Sequence, residues 1–194
     1  MEVTSQMIKD LRDKTGISVM QCKKALEEAE GDMEKATVIL KKKRSEAADK
    51  KSDREIAAGT IGMYMHNTGE VAALVKLGCE TDFVSKNEEF VQLANDIAMH
   101  VAAMNPKYIT RSEVDEEALE AAKAVFQEEV KDKPEDMQEK ILEGKLSSYF
   151  KDQILDEQPF VKNPDTTIGE MVKGGVQKFG ENVTIVEVTR LAVK

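Results

Sequence analysis

Tryptophan is absent from the 194 residues, and aromatic side chains make up only 5% of them. Cysteine and histidine occur twice each and proline four times. Two cysteines cannot build a disulfide framework, which fits a reducing compartment. No stretch approaches the ~18 consecutive apolar residues of a membrane span. The opening MEVTSQMIKD lacks a basic region followed by an apolar run, so no secretory signal is expected and a cytoplasmic location is. Basic side chains are outnumbered, 28 against 37 acidic, for a net charge of −9. That balance disfavours broad nucleic-acid binding, in which neutralisation of phosphates by Lys and Arg dominates affinity. A protein or small-molecule partner is expected instead.

Motifs that carry chemistry are also missing. There is no G-x-x-x-x-G-K-[ST] and no G-x-G-x-x-G after a strand, so the chain is not expected to bind a nucleotide itself. His66 and His100 have no Cys or His at metal-ligand spacing, and neither a metal nor another cofactor is expected. Cys22 falls on the apolar face of a helix, where a lone cysteine behaves as a small hydrophobe. Cys79 as a nucleophile would need a base, and His100 is the one remote candidate.

What is present is a chain that is 41% hydrophobic and 34% charged, with the charge unevenly spread. Residues 1–54 hold 13 basic and 11 acidic side chains, whereas residues 55–194 hold 15 and 26. This break suggests two units. In the first, Met7, Ile8 and Leu11 share a helical face that stops at Gly16. Ser18 and Gln21 have capping-box spacing for a second helix, and Asp32 can cap a third after Gly31. Residues 41–51, KKKRSEAADKK, continue as a helix without an apolar stripe and read as a charged linker.

The second unit changes character. IAAGTIGMYM and EVAALVKLGC, joined by HNTG, predict a β-hairpin. Ser85 and Glu88 have capping-box spacing, and Phe90, Leu93, Ala94, Ile97, Val101 and Met104 follow at helical intervals up to the stop at Asn105 and Pro106. Two helices over 115–132 and 135–155, joined at Lys133 and Pro134, predict an antiparallel helical hairpin. Leu119, Ala122 and Phe126 line the first of them, and Met137, Ile141, Lys145 or Leu146, and Tyr149 or Phe150 the second. QPFVKNPD reads as a loop. Thr167 and Glu170 then cap a last helix, and residues 183–193 close as a strand that pairs with the hairpin. Helices 85–104 and 167–179 can cover one face of the resulting antiparallel sheet. The architecture is α+β.

One segment resists a bland reading. Thr81, Asp82, Phe83 and Val84 stand between the end of a strand and the expected cap at Ser85, where polar residues are the rule. Phe83 could fold back as a hydrophobic staple. Alternatively Val84, next to Ser85, takes that place, and Phe83 projects as an anchor for a protein partner.

Here the sequence resembles elongation factor Ts, the family of guanine-nucleotide exchange factors for elongation factor Tu. LRDKTGISVMQCKKALEEAEGDMEKA looks like the family's ubiquitin-associated-type three-helix domain, and YMHNTGEVAALVKLGCETDFVSKNEEF resembles its most characteristic stretch. DIAMHVAAMNPKYI, EGKLSSYFKD and QPFVKNPDTTIGEMV are similar as well. The resemblance implies residues 1–54 as a ubiquitin-associated-like docking domain with its linker helix. It implies residues 55–194 as an α+β core of the dimerisation type, with the helical hairpin at about 115–152. It implies elongation factor Tu as partner, in GDP-bound and nucleotide-free forms, with no membrane and no direct nucleic acid. Phe83 would be a wedge near the partner's Mg²⁺ site, Asp82 would disturb the groups that position the ion, and Thr81 and Val84 would shape the tip. Arg12, Val19 and Met20 fall at partner-contact positions of the N-terminal domain. No bond-making catalysis is implied.

Two departures stand out. Val19 occupies a position where many members carry Met. The chain is also short, so that one hairpin carries features of two sheet-bearing subdomains. Some short members act as dimers, and the resemblance raises a homodimer with Cys79 at its interface. The contrasting reading from the residues alone is a binding module that acts through the N-terminal helices.

Overall fold

The computed structural model describes residues 3–131 and 134–193. Three helices open the chain: α1 (Ser5–Thr15), α2 (Val19–Glu28) and α3 (Met33–Asp49). Each begins at a side-chain cap of the expected kind. Thr4 accepts from the Met7 amide, Ser18 from that of Gln21, and Asp32 from those of Glu34 and Lys35. The Ser18 cap is half of a capping box only, because the Gln21 side chain meets the Ser18 hydroxyl and not its backbone. Leu11, Ile17, Cys22, Ala25, Leu26, Ala36 and Leu40 form a buried cluster among these helices.

The charged stretch 41–51 continues the third helix. α3 runs through it without a break to Asp49. Its polar side chains dock on a later helix, α8 (Ile168–Phe179). Lys41 pairs with Glu170 at 2.8 Å, Lys173 reaches Ser45 at 3.0 Å, and Arg44 spans from the Thr15 carbonyl to Gln177, both at 3.2 Å. A helix without an apolar stripe thus gains its neighbours through hydrogen bonds and ion pairs.

Strands β1 (Ala58–Met65) and β2 (Val71–Cys79) form the expected hairpin, and β5 (Thr184–Ala192) adds to β2, all antiparallel, in the order β1-β2-β5. The register puts Val75 opposite both Gly62 and Val188, and Leu77 opposite Ile185. Helix α5 (Glu88–Met104) lies on one face of this sheet. Ala73, Val75, Leu77 and Cys79 meet Phe90, Ala94, Ile97 and Val101 there in the main core. Met104 ends that stripe half-exposed at 45%, beyond the core. Helix α8 packs against α5, with the Phe179 and Phe90 rings edge-to-face 5.5 Å apart, and against α3, and gives Ile168 and Val176 to the same core. Its capping box at Thr167 and Glu170 is complete.

Helices α6 (Glu116–Val130) and α7 (Glu135–Lys151) pair as a hairpin around Ala122, Phe150 and Ile154. Leu119 and Met137 are exposed and not part of its lining. Pro134 precedes α7, and Lys133 of the expected joint lies outside the described residues. The expected loop QPFVKNPD is instead a tight ribbon of β3 (Pro159–Phe160) and β4 (Asn163–Thr167). It closes over His100. That side chain is fully buried, with Nε2 2.8 Å from Gln158 and Nδ1 accepting from the Val161 amide at 3.3 Å.

Candidate functional site

The junction between β2 and α5 is where sequence and structure part on detail and agree on outcome. Ser85 does not cap α5. Asn87 does, accepting from the Glu89 amide at 2.9 Å. Residues Asp82–Ser85 form a helix of their own, α4, one turn long. Ser85 closes that turn by donating its hydroxyl to the Asp82 carbonyl. A single helical turn spreads four side chains around its axis. Val84 faces inward and packs against the main core, and Phe83 faces outward with 85% of its surface exposed. The staple reading of Phe83 is therefore excluded. Val84 points inward because of the short helix, not because it precedes a cap.

A benzyl group left in water forgoes roughly 1.5–3 kcal/mol of burial, and an exposed large aromatic on a hydrogen-bonded turn is a candidate contact site. The turn is held at its base. Thr81 donates its amide and its hydroxyl to Glu181, at 3.0 and 2.6 Å, and the Glu80 amide also donates to Glu181 at 3.0 Å. The Thr81 carbonyl accepts from the Ser85 amide and from the Cys79 thiol. Gly180 ends α8 in the left-handed conformation, at φ 74°, and so turns the chain to bring Glu181 beneath this segment. In return, Glu80 accepts from the Asn182 amide at 2.6 Å and pairs with Arg54 at 3.3 Å. These contacts hold the Glu80 carboxyl below its usual range, the Asn182 amide contributing most. Asp82 is exposed and pairs with Lys86 at 2.7 Å, one helical turn on, which holds its carboxyl low as well. An exposed pair of this kind is loosely held and can open toward a partner.

Arg12, Val19 and Met20 are all exposed on α1 and α2, Val19 by 52% and Met20 by 69%. They sit on different elements from Phe83.

Cys79 is fully buried, facing the core side of the sheet, so it is not available to a dimer interface. Burial, with Glu181 and Glu80 nearby, pushes its thiol up. Both ring nitrogens of His100 are already engaged within the core. A thiol nucleophile with that base therefore has no support. Among the described residues no cluster of three His, Cys, Asp or Glu could hold a metal, and no helix is long and apolar enough to cross a membrane.

Glu181 and Asn182 escaped the sequence reading because they lie about a hundred residues from their partners, where no periodic signal connects them. The outer face of the sheet also went unread. Ile61, Met63, Met65, Leu74 and Leu191 project from it, each exposed by 45% or more. The alternation in β1 places Ile61, Met63 and Met65 on this side, and that signal was present in the sequence.

Comparison with known proteins adds an independent line. A family model described as Elongation factor TS matches residues 4–194. The chain is 44% identical over 195 residues to elongation factor Ts of Fervidobacterium nodosum, covering 100% of this chain and 99% of the relative. It is 45% identical over 194 residues to elongation factor Ts of Thermodesulfovibrio yellowstonii, covering 100% and 97%. To elongation factor Ts of Syntrophus aciditrophicus it is 46% identical over 187 residues, covering 95% and 93%.

Proposed function

The chain belongs to the elongation factor Ts family, the cytoplasmic nucleotide exchange factors of elongation factor Tu in translation elongation, and from that premise we propose how this member drives exchange. The family acts by binding and displacement, not as an enzyme. Phe83, presented on α4, enters the partner's nucleotide domain near its Mg²⁺ site and displaces the side chains around it. Asp82 leaves Lys86 and perturbs the groups that position the ion. Thr81 and Val84 fix the turn from beneath. Mg²⁺ bridges the phosphates of the bound nucleotide, so disturbing it removes much of the charge neutralisation that holds GDP. The observation that carries this reading is the 85% exposure of Phe83 on a turn anchored at its base.

Residues 1–54 serve as the docking domain through Arg12, Val19 and Met20, and residues 55–194 as the exchange core. A contact made equally to the GDP-bound and empty partner raises affinity without speeding release. A contact made only as GDP leaves speeds release. The first role suits the α1–α2 surface and the second suits Phe83.

The outer sheet face takes a second copy of this chain. Its support is the run of exposed apolar side chains from Ile61 to Leu191, a surface that sheet-on-sheet packing covers. Lys76 and Glu187 are register partners on that face and carry opposite signs, so the face has no net charge from this pair.

The test is release of a fluorescent GDP analogue from elongation factor Tu. Phe83→Ala should lower the release rate at saturating factor by roughly 10- to 100-fold, the equivalent of losing about 1.5–3 kcal/mol of aromatic burial. Substitution of Val19 and Met20 by Ala should instead raise the half-saturating concentration. An unchanged release rate in folded Phe83→Ala would sink the wedge.

A further inference from the structure

We propose that Glu181 is a positioning residue for exchange, its carboxylate fixing the backbone beneath Phe83 before the partner arrives. The inference rests on the wedge reading above. A single helical turn has no stability of its own, because nucleating a helix fixes several dihedrals for one hydrogen bond. α4 spans only Asp82–Ser85, so its orientation must be imposed from outside.

Val84, packed on the main core, holds one side of it, and two carboxylates hold its base, by exchange of backbone partners. Glu181 accepts the amides of Glu80 and Thr81 on one oxygen, both at 3.0 Å, and the Thr81 hydroxyl on the other at 2.6 Å. Glu80 accepts the Asn182 amide at 2.6 Å. Each segment is therefore held by the residue adjoining the other's donors, and neither can shift alone. Hydrogen bonds to an ionised acceptor are about twice as strong as neutral ones. Asn182 extends the clasp to the exit of α3, since its side-chain amide donates to the carbonyls of Ser52 at 3.1 Å and Arg54 at 3.0 Å. Lys51 reaches the Gly180 carbonyl at 2.7 Å. The base of the wedge and the end of the docking helices thus share one polar knot, built on the loop after α8.

The role follows from preorganisation. If the turn is ordered only on contact, the entropy of ordering it is subtracted from the interaction that expels GDP. A turn ordered in advance delivers the whole of the Phe83 contact to that step. Glu181 touches neither nucleotide nor ion in this account and acts only through the placement of Phe83.

The experiment compares Glu181→Ala, Glu181→Gln, Phe83→Ala and the Phe83→Ala/Glu181→Ala double variant in the same GDP-release assay. Glu181→Ala should lower the saturating release rate about tenfold while moving the half-saturating concentration by no more than about threefold. Glu181→Gln should return to within about threefold of the wild type, because a carbonyl oxygen can still take both amides and the NH₂ can donate to the Thr81 hydroxyl. In the Phe83→Ala background, Glu181→Ala should change the rate by about twofold or less, since a residue acting through Phe83 has nothing left to position. In the free factor, exchange of the Thr81 amide hydrogen should accelerate in Glu181→Ala and stay near wild type in Glu181→Gln. A wild-type release rate in Glu181→Ala, or losses that multiply in the double variant, would overturn the positioning role. Should Glu181→Ala fail to fold, Thr81→Val removes the hydroxyl donor alone and should slow release about threefold; an unchanged rate there would also overturn it. Wild-type release by Phe83→Ala would remove the wedge reading itself, which is a separate result from fast release by Glu181→Ala alone.

Discussion

Gly62 is the position at which the smallest side-chain change should do the most damage. It lies in β1 directly beneath α5, and a Cβ built there would stand 2.2 Å from both the carbonyl carbon and the carbonyl oxygen of Ala94, and 2.7 Å from the Asn95 nitrogen. Those are backbone atoms in the middle of a 17-residue helix. No rotamer change relieves the clash, so the helix must move away by more than about 1 Å to reach ordinary contact distance. That helix carries Phe90, Ala94, Ile97, Ala98 and Val101, all buried to within 1% of completeness in the main core. Overpacking typically costs about 1–3 kcal/mol, and loosening a whole interface places Gly62→Ala at the upper end. At about 2–4 °C per kcal/mol for a chain of this size, the melting temperature should fall by roughly 6–12 °C. Gly144 supplies the control. It lies within α7 with nothing within 4 Å of an added Cβ, and Gly144→Ala should stabilise by about 0.5–1 kcal/mol because glycine weakens a helix interior. The assay is thermal unfolding by circular dichroism, with urea titration for the free energy. The same chemical change should thus act with opposite signs at two positions. A Gly62→Ala melting temperature within about 1 °C of the wild type would refute the close approach of strand and helix.

Other outcomes follow from the same geometry. Met63→Lys or Leu191→Lys on the outer sheet face should convert a dimer to monomer in sedimentation equilibrium while leaving the fold intact; a monomeric wild type, or a dimer indifferent to both changes, would refute that interface. Burial pushes the Asp156 carboxyl up to about 6, with Lys173 opposing and Glu113 and Glu157 assisting. Its folded pKa stands above its unfolded value, so its stabilising contribution is complete below about 4 and is lost as pH rises through about 6. Asp156→Asn should therefore gain on the wild type between pH 4 and pH 7, by on the order of 2 kcal/mol for a shift of about two units; parallel pH profiles of melting temperature would contradict this. Burial acts in the opposite sense on His100, lowering its pKa against the pull of Gln158. The stability it lends is present above pH 6.5 and lost as the solution is acidified, and a ring-proton NMR titration with a midpoint above 6.5 would refute the buried neutral imidazole.

The extent to which the sequence announces this molecule depends on the range of the interaction. Caps at Asp32 and Thr167 act within three residues, and each is found at its expected place. The hairpin register follows from alternation around HNTG. The Ser85 misreading has a local cause too. Ser85 and Glu88 satisfy the capping pattern, but Ser85 is taken up by the one-turn helix, and Asn87, two residues later, is the first free residue able to cap α5. What is not legible is polar and distant. The docking of α3 on α8 rests on Lys41 with Glu170 and Arg44 with Gln177, pairs that leave no apolar stripe to detect. Glu181 beneath Thr81 leaves none either.

The sequence left open whether Phe83 folds back or projects, and the anchoring of its turn was not legible there at all; the exchange role proposed above draws on both its exposure and that anchoring. An exposed aromatic on a mobile loop can be buried by any partner surface that adapts to it, with or without GDP. Such a contact deepens the complex with GDP bound as much as the empty one, and it leaves the release rate where it was. An aromatic held at a fixed angle fits only a partner whose nucleotide site has already given way. Linkage then requires that GDP weaken the factor's grip by the same factor that the factor weakens GDP's. That reciprocity lets the complex resolve in either direction, with the supply of GTP setting the course. On the proposed reading, the clasp of Glu80 and Glu181 serves exchange as much as the ring it orients, since it would turn a hydrophobic contact into a selective one.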